Sequence, residues 1–259
     1  MFRTKLQPKI LAAVTIALLF AAGARAASAQ VGQPWTDRGY FNLNAGFESS
    51  SGTLSDAVTF TLYGEGGSKR VDQNVDSGAL FDFSIGSRVW RNVSVGIGYH
   101  RGANTSDATV TASVPHPAIF GLPRSVALTA GDLDRRVRAI HLQVGYMIPL
   151  TEDVSVHVTV GPSFFRLTQD VVGDLTFSES SPFTTVSTAP VIENRSDSAA
   201  GVNIGADVTY KVWESDAYTV GGGMFLRYSG ATARIRVLDN EVDSDVGGLQ
   251  IGFGARVRF

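Results

Sequence analysis

Residues 248–259 constrain the fold of this chain more than any other stretch. Every second side chain from Leu249 to Phe259 is apolar, and the positions between them hold only glycine, glutamine and arginine. Side chains of a β-strand alternate between two faces, so this pattern predicts a strand with one apolar and one polar face. The same alternation recurs in seven earlier segments, at residues 39–48, 79–90, 93–100, 140–148, 154–161, 202–212 and 218–228.

The N-terminus has the pattern of a secretory signal peptide. Arg3, Lys5 and Lys9 precede an apolar run over residues 10–24, which is short for a membrane-spanning helix. Ala27-Ser28-Ala29 is a small-residue cleavage pattern, so we predict cleavage between Ala29 and Gln30. Cleavage after Ala24-Arg25-Ala26, or an uncleaved helical anchor, is the alternative.

The signal segment and the last strand together resemble the bacterial outer-membrane β-barrel family, in particular small OmpA/OmpX-type eight-stranded barrels. Members of that family close with an amphipathic strand that ends in phenylalanine. The resemblance implies an all-β fold, a transmembrane antiparallel up-and-down β-barrel in the cell outer membrane. It also implies that the barrel-insertion machinery reads the last strand during biogenesis, at Phe253, Ala255, Val257 and Phe259. We accordingly divide the chain into a signal peptide (1–29), a short periplasmic leader (30–38) and a barrel domain (39–259).

The spacing of the predicted strands indicates eight of them. Three links are short, at residues 91–92, 149–153 and 214–216, and the four connections between them are long. An eight-stranded barrel with both ends in the periplasm needs three short turns and four outer loops. Val58, Phe60 and Leu62 could mark a further strand. We assign residues 57–63 to an extension of the first hairpin, and a ten-stranded barrel is the alternative.

The polar faces of the strands predict the filling of the lumen. An eight-stranded lumen is about filled by side chains, and buried charges must pair or hold water. We therefore predict a polar plug, and a selective pore or ligand tunnel is the alternative. Its members would be Asp82, Arg88, His100, His141, His157, Asp207, Lys211, Arg227, Arg256 and Arg258.

The histidines do not suggest a metal site. Pairing the fourth and fifth strands around residues 149–153 predicts that His141 faces Gly161 and that His157 faces Gly145. Those rows would be about 13 Å apart, too far for shared coordination. We expect no metal and no cofactor.

Other chemistry is equally sparse. The predicted lipid-facing positions hold no histidine, and no G-x-S-x-G motif occurs, so we expect no catalytic residues. The chain contains no cysteine, which excludes disulfides and cysteine-based metal sites. The signal segment takes four of the 22 basic residues and none of the 24 acidic ones, which leaves 18 basic against 24 acidic residues after cleavage. This acidic balance argues against nucleic acid as a partner.

The outer loops carry apolar side chains that could form a contact patch, namely Ile119, Phe120, Leu122, Phe177 and Phe183. Packing of these loops on one another is the alternative. We expect a monomer in contact with outer-membrane lipid and lipopolysaccharide. The sequence favours a structural or surface-interaction barrel with a largely plugged lumen. A narrow porin-like channel for small or apolar solutes is the main alternative, and a lipid-modifying enzyme is a weaker one.

Overall fold

The structure is a computed structural model that describes residues 35–50 and 52–259, all of them in strands, turns and loops. The predicted signal peptide and its cleavage site at Ala29 and Gln30 lie outside the described residues. In the described part of the chain, no helix is long and apolar enough to span a membrane. The ten strands are β1 (Gly39–Ser49), β2 (Gly52–Leu62), β3 (Glu65–Val75), β4 (Gly78–Trp90), β5 (Val93–Val114), β6 (Arg124–Pro149), β7 (Val154–Glu179), β8 (Val186–Glu214), β9 (Thr219–Val237) and β10 (Asn240–Arg258).

Eight of these strands close into a ring. Antiparallel pairing runs from β1 through β4, β5, β6, β7, β8, β9 and β10. It returns to the start because Tyr40 faces Arg258 and Ser49 faces Leu249 across the β1–β10 pair. Each of the eight strands of the ring thus has a partner strand on both sides, which is what a chain needs in order to cross hydrocarbon with strands.

The remaining two strands extend the first hairpin. β2 pairs with β3 from Gly52 to Val75, and Ser68 to Gln73 of β3 pair in turn with β5. The two strands therefore continue β1 and β4 beyond the ring instead of adding a ninth and a tenth member to it. Residues 57–63 lie in this extension, as the eight-strand interpretation predicts.

The two ends of the ring differ in their connections. Tight links at 91–92, 150–153 and 215–218 lie at one end, and connections at 63–64, 115–123, 180–185 and 238–239 lie at the other. The predicted register around the 149–153 link is wrong by two residues. Pro149 pairs with Ser155, so His141 faces Ser163 and His157 faces Met147. The turn is centred one residue later than expected because Leu150 and Thr151 both donate to the carbonyl of Val154.

The long strands exchange their polar and apolar faces partway along, and register shifts interrupt the pairing of β5 with β6 and of β7 with β8 in the outer section. In the first part of β5, the outward side chains Val95 and Ile97 are exposed and apolar, and the inward Ser94 and His100 are fully buried and polar. Further along β5, the pattern reverses: inward side chains such as Val110 are buried and apolar, and outward ones such as Thr109 and Thr111 are polar. The reversal divides the molecule into a ring section with a polar interior and an outer section with an apolar core.

The apolar core of the outer section draws on six strands. Its buried members come from β3, β5, β6, β7, β9 and β10, together with Leu238 of the last connection. They are Val71, Ala108, Val110, Ala112, Val114, Ala130, Leu133, Val137, Ala139, Phe165, Leu167, Val171, Val172, Leu175, Ala233, Ile235, Val237, Leu238 and Val246. Burial of this much apolar surface stabilises the outer section as a packed unit rather than as a set of loose hairpins.

Candidate functional site

The interior of the ring is the first candidate site. Seven of the ten side chains predicted for the polar plug are buried there, namely Asp82, His100, His141, His157, Asp207, Arg227 and Arg256. The other three, Arg88, Lys211 and Arg258, are only partly buried and lie towards the end with tight turns. They lie there because strand positions close to a turn reach the rim of the ring.

Two buried ion pairs cross the middle of the ring. Arg227 of β9 donates from Nη2 to Asp82 of β4 over 2.5 Å, so this pair spans the interior instead of joining neighbouring strands. Arg256 donates to Asp207 through Nε at 2.9 Å and Nη2 at 2.5 Å, with only 1% of the Arg256 surface exposed. A two-point contact of this kind fixes both side chains, because the guanidinium and carboxylate planes must align.

A third group of polar side chains lies closer to the outer section. His100 approaches the Glu48 carboxylate with Nε2 and Oε2 2.9 Å apart, and Gln250 donates to the same oxygen over 2.7 Å. His141 lies beside His100, with the ring centroids 6.2 Å apart, and contacts Ser163 at 2.7 Å. These side chains fill the ring up to the boundary with the apolar core.

Arg135 closes the polar interior at the end that faces the outer section. It lies in the outer section, beyond the ring, and donates to Gln169 at 2.6 Å, to Ser244 at 3.1 Å and to the carbonyl of Asp245 at 2.7 Å. Burial lowers the pKa of Arg135 to about 10 because the charged form is poorly solvated there. One guanidinium thus ties β6, β7 and β10 together where the polar interior meets the apolar core.

The opposite end is closed by the predicted leader. Of residues 30–38 the structure describes 35–38, and Trp35 is buried against Tyr40, His157 and Met147. Arg88 donates to the carbonyls of Trp35 and Thr36, at 2.6 Å and 2.9 Å. These four residues therefore fold onto the mouth of the ring.

The space left inside is small. A cavity of about 30 Å³ remains among the central pairs, beside Asn44, Asp82 and Arg227, room for about one or two water molecules. No group of three or more acidic or histidine side chains within residues 35–50 and 52–259 could hold a metal ion. Chemically, the arrangement can hold water and fix the strands.

The tip of the outer section is the second candidate site. Of the predicted patch, Ile119, Phe120 and Leu122 are exposed at the 115–123 connection, Phe120 by 85%. The other two members are partly buried. Phe177 stacks on Phe60 against the apolar core, with centroids 5.6 Å apart, and Phe183 packs edge-on against His116.

Arg124 holds the two longest outer connections together. It donates to the carbonyls of Pro115 at 2.6 Å and Phe183 at 3.0 Å, and it also pairs with Glu179. Lys69 adds a contact lower down by donating to Asp174 at 2.7 Å, which lowers the pKa of that carboxyl. The exposed apolar tip is therefore mounted on a fixed base.

Several of these residues were missed by the sequence reasoning. Glu48, Gln250 and Arg135 all lie on the inward parity of their strands, and that signal could have included them in the plug. Trp35 gave no such signal, because it precedes the first strand.

The predicted insertion segment lies on the outside of the ring. Phe253 is 71% exposed on β10, Ala255 and Phe259 are also exposed, and Val257 is partly buried. β10 pairs with β1 on one side and with β9 on the other. The apolar face of this strand therefore belongs to the outward apolar surface of the ring section.

Comparison with solved structures gives low sequence identity and broad coverage. Neisserial surface protein A is 14% identical, with a TM-score of 0.40, over 85% of this chain and 95% of that chain. The attachment invasion locus protein Ail of Yersinia pestis, solved with the heparin analogue sucrose octasulfate, is 13% identical, with a TM-score of 0.35, over 85% and 99%. OprG from Pseudomonas aeruginosa is 11% identical, with a TM-score of 0.40, over 86% and 97%.

A search of curated proteins found no match. A family model does match, and it is described as the outer membrane protein beta-barrel domain and covers residues 13–259. This range includes the whole ring and the whole outer section. It agrees with the closed pairing of eight strands and with the outward apolar surface of the ring. The chain therefore belongs to the outer membrane protein beta-barrel family and is an integral protein of the cell outer membrane.

Proposed function

We propose that the protein is a non-conducting surface barrel, which holds a rigid apolar-cored outer section outside the membrane and presents its tip to other surfaces. The observation that carries this proposal is the continuous filling of the interior. Trp35 covers one mouth, ion pairs occupy the middle, and Arg135 and the apolar core follow. The proposal assigns no catalytic role to any residue.

The central ion pairs support a closed lumen. Opening a path would separate Arg227 from Asp82 or Arg256 from Asp207, which are 2.5 Å apart at their nearest atoms. An isolated charge in a low-dielectric interior is costly, so the paired state is favoured strongly. The apolar core beyond Arg135 adds a second barrier, because ions do not cross packed hydrocarbon side chains.

The ring geometry supports a monomer. In the membrane section each of the eight strands has two neighbours, so no unpaired backbone edge is left for a second chain. The outward position of Phe253 also supports a role of β10 as the insertion signal. Replacement of Phe253 by serine should then slow insertion in cells more than folding in micelles.

Ion conductance in a planar bilayer tests the closed lumen. The refolded protein should produce no discrete conductance steps at neutral pH. The double variant Asp82→Ala/Arg227→Ala removes one central pair, and the matched double variant Asp72→Ala/Arg70→Ala removes an exposed pair in the outer section. Steps from the unmodified protein would overturn the proposal in favour of a narrow channel. The absence of conductance steps from all three proteins would agree with a second barrier at the apolar core.

Adhesion tests the role of the tip. Cells that carry the protein should adhere to a methyl-terminated surface more strongly than to a hydroxyl-terminated one, because Ile119, Phe120 and Leu122 are exposed. Replacement of all three residues by serine should abolish the difference. A control variant, Thr109→Ser, changes an exposed side chain on the outer wall and should leave adhesion unchanged. If the triple variant adhered to the methyl-terminated surface as strongly as the unmodified protein, that result would argue against a contact role of the tip.

A further inference from the structure

Three arginines stand side by side on the outer surface, at the boundary between the ring section and the outer section. Arg101 of β5 faces Arg138 of β6, and Arg138 faces Arg166 of β7. All three residues are exposed and have the outward parity of their strands. Neighbouring strands lie about 4.8 Å apart, so the backbone positions of the three span about 10 Å. We call this set the arginine row.

The arginine row begins where the lipid-facing surface ends. On each of the three strands, the next outward position towards the membrane is apolar, namely Tyr99 on β5, Ile140 on β6 and Phe164 on β7. These three also face one another across the strands. Beyond the row, most outward positions are polar, and most inward side chains are apolar apart from polar members such as Arg135 and Gln169. The row therefore lies at the level of the headgroups of the outer leaflet.

No carboxylate of the described residues neutralises the row. None of the three guanidinium groups makes an ion pair or a side-chain hydrogen bond within residues 35–50 and 52–259. The next outward carboxylates on β6 and β7, Asp134 and Asp170, lie four residues further out, about 13 Å along the strand. Asp134 is engaged by Arg136 at 2.8 Å, and Asp170 by Asn194 at 2.7 Å.

Such an arrangement is unfavourable unless an anion joins it. Like charges placed directly opposite each other on neighbouring strands destabilise a sheet. A phosphate group reverses the sign of this interaction, because a guanidinium group binds phosphate oxygens with two parallel hydrogen bonds. The apolar row below it offers a surface for acyl chains, so headgroup and chains of one lipid molecule can be bound together.

We propose that the arginine row is a binding site for a phosphorylated glycolipid of the outer leaflet. Phosphate groups of the lipid would contact Arg101, Arg138 and Arg166, and its acyl chains would lie along Tyr99, Ile140 and Phe164. Arg138 is the central member, since it has an arginine on either side. The inference rests on the location in the outer membrane and is independent of whether the lumen conducts.

A lipid titration tests this site. The protein is refolded in zwitterionic phosphocholine nanodiscs, and binding of fluorescently labelled lipid A is measured with its phosphorylated and dephosphorylated forms. Arg138→Gln should weaken binding of the phosphorylated form about 10-fold, equivalent to about 1.4 kcal/mol, because it removes a charged hydrogen-bond donor. The triple glutamine variant should bind both forms alike. Arg138→Lys should keep part of the affinity because it retains the charge without the two-point contact.

The matched control is Arg234→Gln. Arg234 is also exposed and outward on the outer section, but it lies on β9 and is 3.6 Å from Asp243. This variant should bind lipid A within twofold of the unmodified protein. A heat-modifiable gel band confirms that each variant is folded. If the triple variant does not fold, the single Arg138 variants decide the question.

The competing outcomes are distinct. Equal binding of phosphorylated and dephosphorylated lipid by the unmodified protein would overturn the proposal. A loss of lipid A affinity in Arg234→Gln equal to that in Arg138→Gln would also overturn it, because it would indicate a general effect of net charge. Inorganic phosphate is added as a competitor at millimolar concentration. Full displacement at that concentration would reassign the row to free phosphate, whereas weak displacement supports a lipid that is also bound through its chains.

Discussion

At the scale of single residues, the ring is held together by buried polar contacts that cross the interior. Asp82 and Arg227 lie on strands far apart in the chain, and each is almost fully buried. Asn44 donates to the same carboxylate over 3.1 Å, which gives Asp82 a second partner. Buried charges in this setting favour the strand arrangement that pairs them, because an unpaired buried charge is costly.

Replacement of one member of this pair should be costly. Arg227→Met leaves the Asp82 carboxylate with Asn44 alone, and we expect a loss of about 3–5 kcal/mol in the free energy of unfolding. The double variant Asp82→Asn/Arg227→Met removes the stranded charge and should recover more than half of that loss. Denaturant unfolding in phosphocholine micelles measures both. Equal losses in the single and double variants would show that the unpaired Asp82 charge is not the source of the loss.

A residue in the same section shows how close the packing is. A Cβ atom added to Gly145 would lie 2.1 Å from Nε2 of His157. His157 is fixed by Ser94 at 2.8 Å and by the ring of Tyr40, so it has little room to move. Only glycine fits at this position, and its place on the inward parity of β6 explains why the polar face of that strand is not wholly polar.

At the scale of the strand, polar and apolar side chains alternate both in the ring section and in the outer section. The outward face of β5 is apolar up to Tyr99 and mostly polar from Arg101 onward, and its inward face turns apolar at Ala108. The pairing of β5 with β6 shifts register between Ser106 and Ala108, where the inward face becomes apolar, so a β-bulge accompanies the change in side-chain chemistry.

Three lysine substitutions on β5 should distinguish these two sections. Ile97→Lys places a charge on the lipid-facing surface and should cost about 2–4 kcal/mol. Thr109→Lys is exposed on the outer section and should change stability by less than about 0.5 kcal/mol. Val110→Lys buries a charge in the apolar core and should loosen the outer section.

Two measurements distinguish the three variants. Denaturant midpoints report the stability of the ring, and hydrogen exchange reports opening of the outer section. We expect Val110→Lys to speed exchange in β3 and the far part of β5 while its gel band stays heat-modifiable. A similar response to Ile97→Lys and Thr109→Lys would contradict the assigned position of the membrane.

Sequence alternation predicted the strands well and their extent poorly. Period-two patterns over residues 202–212 and 248–259 identified β8 and β10, but β8 extends from Val186 and β10 from Asn240. The missing parts lie in the outer section, where the polar and apolar faces exchange places, and a single-parity pattern fails there. The register of His141 was missed because one residue in a turn shifts every pair that follows it.

At the scale of the whole molecule, strands β5 to β10 run from the ring into the outer section, and the outer connections join them there in pairs. The 115–123 connection is the longest of these and carries the exposed Phe120. Of the other phenylalanines of the outer section, Phe60 and Phe177 lie in paired strands, and Phe183 of the 180–185 connection is partly buried against His116. Proteases need an exposed segment outside the paired strands, so this connection is the expected site of cleavage in the outer section.

Limited proteolysis should therefore cut the protein at one place. Chymotrypsin added to the outer-loop side of vesicle-inserted protein should cleave after Phe120 first. The two fragments should remain associated until boiling, because β5 and β6 stay paired. Phe120→Ser should resist cleavage under the same conditions. Early cleavage within residues 52–75 would contradict the paired first hairpin.

The exchange of apolar and polar faces has a consequence for the membrane itself. The apolar stretches on the outward face cover roughly eight to ten residue steps per strand, which at the tilt of a barrel gives a hydrophobic thickness of about 20–25 Å. Strongly polar surfaces lie on both sides of this apolar belt. Movement of the protein along the membrane normal would therefore place arginine in hydrocarbon or tyrosine in water. A thicker bilayer would have to thin around the protein, so the protein sets the local thickness of the bilayer around it.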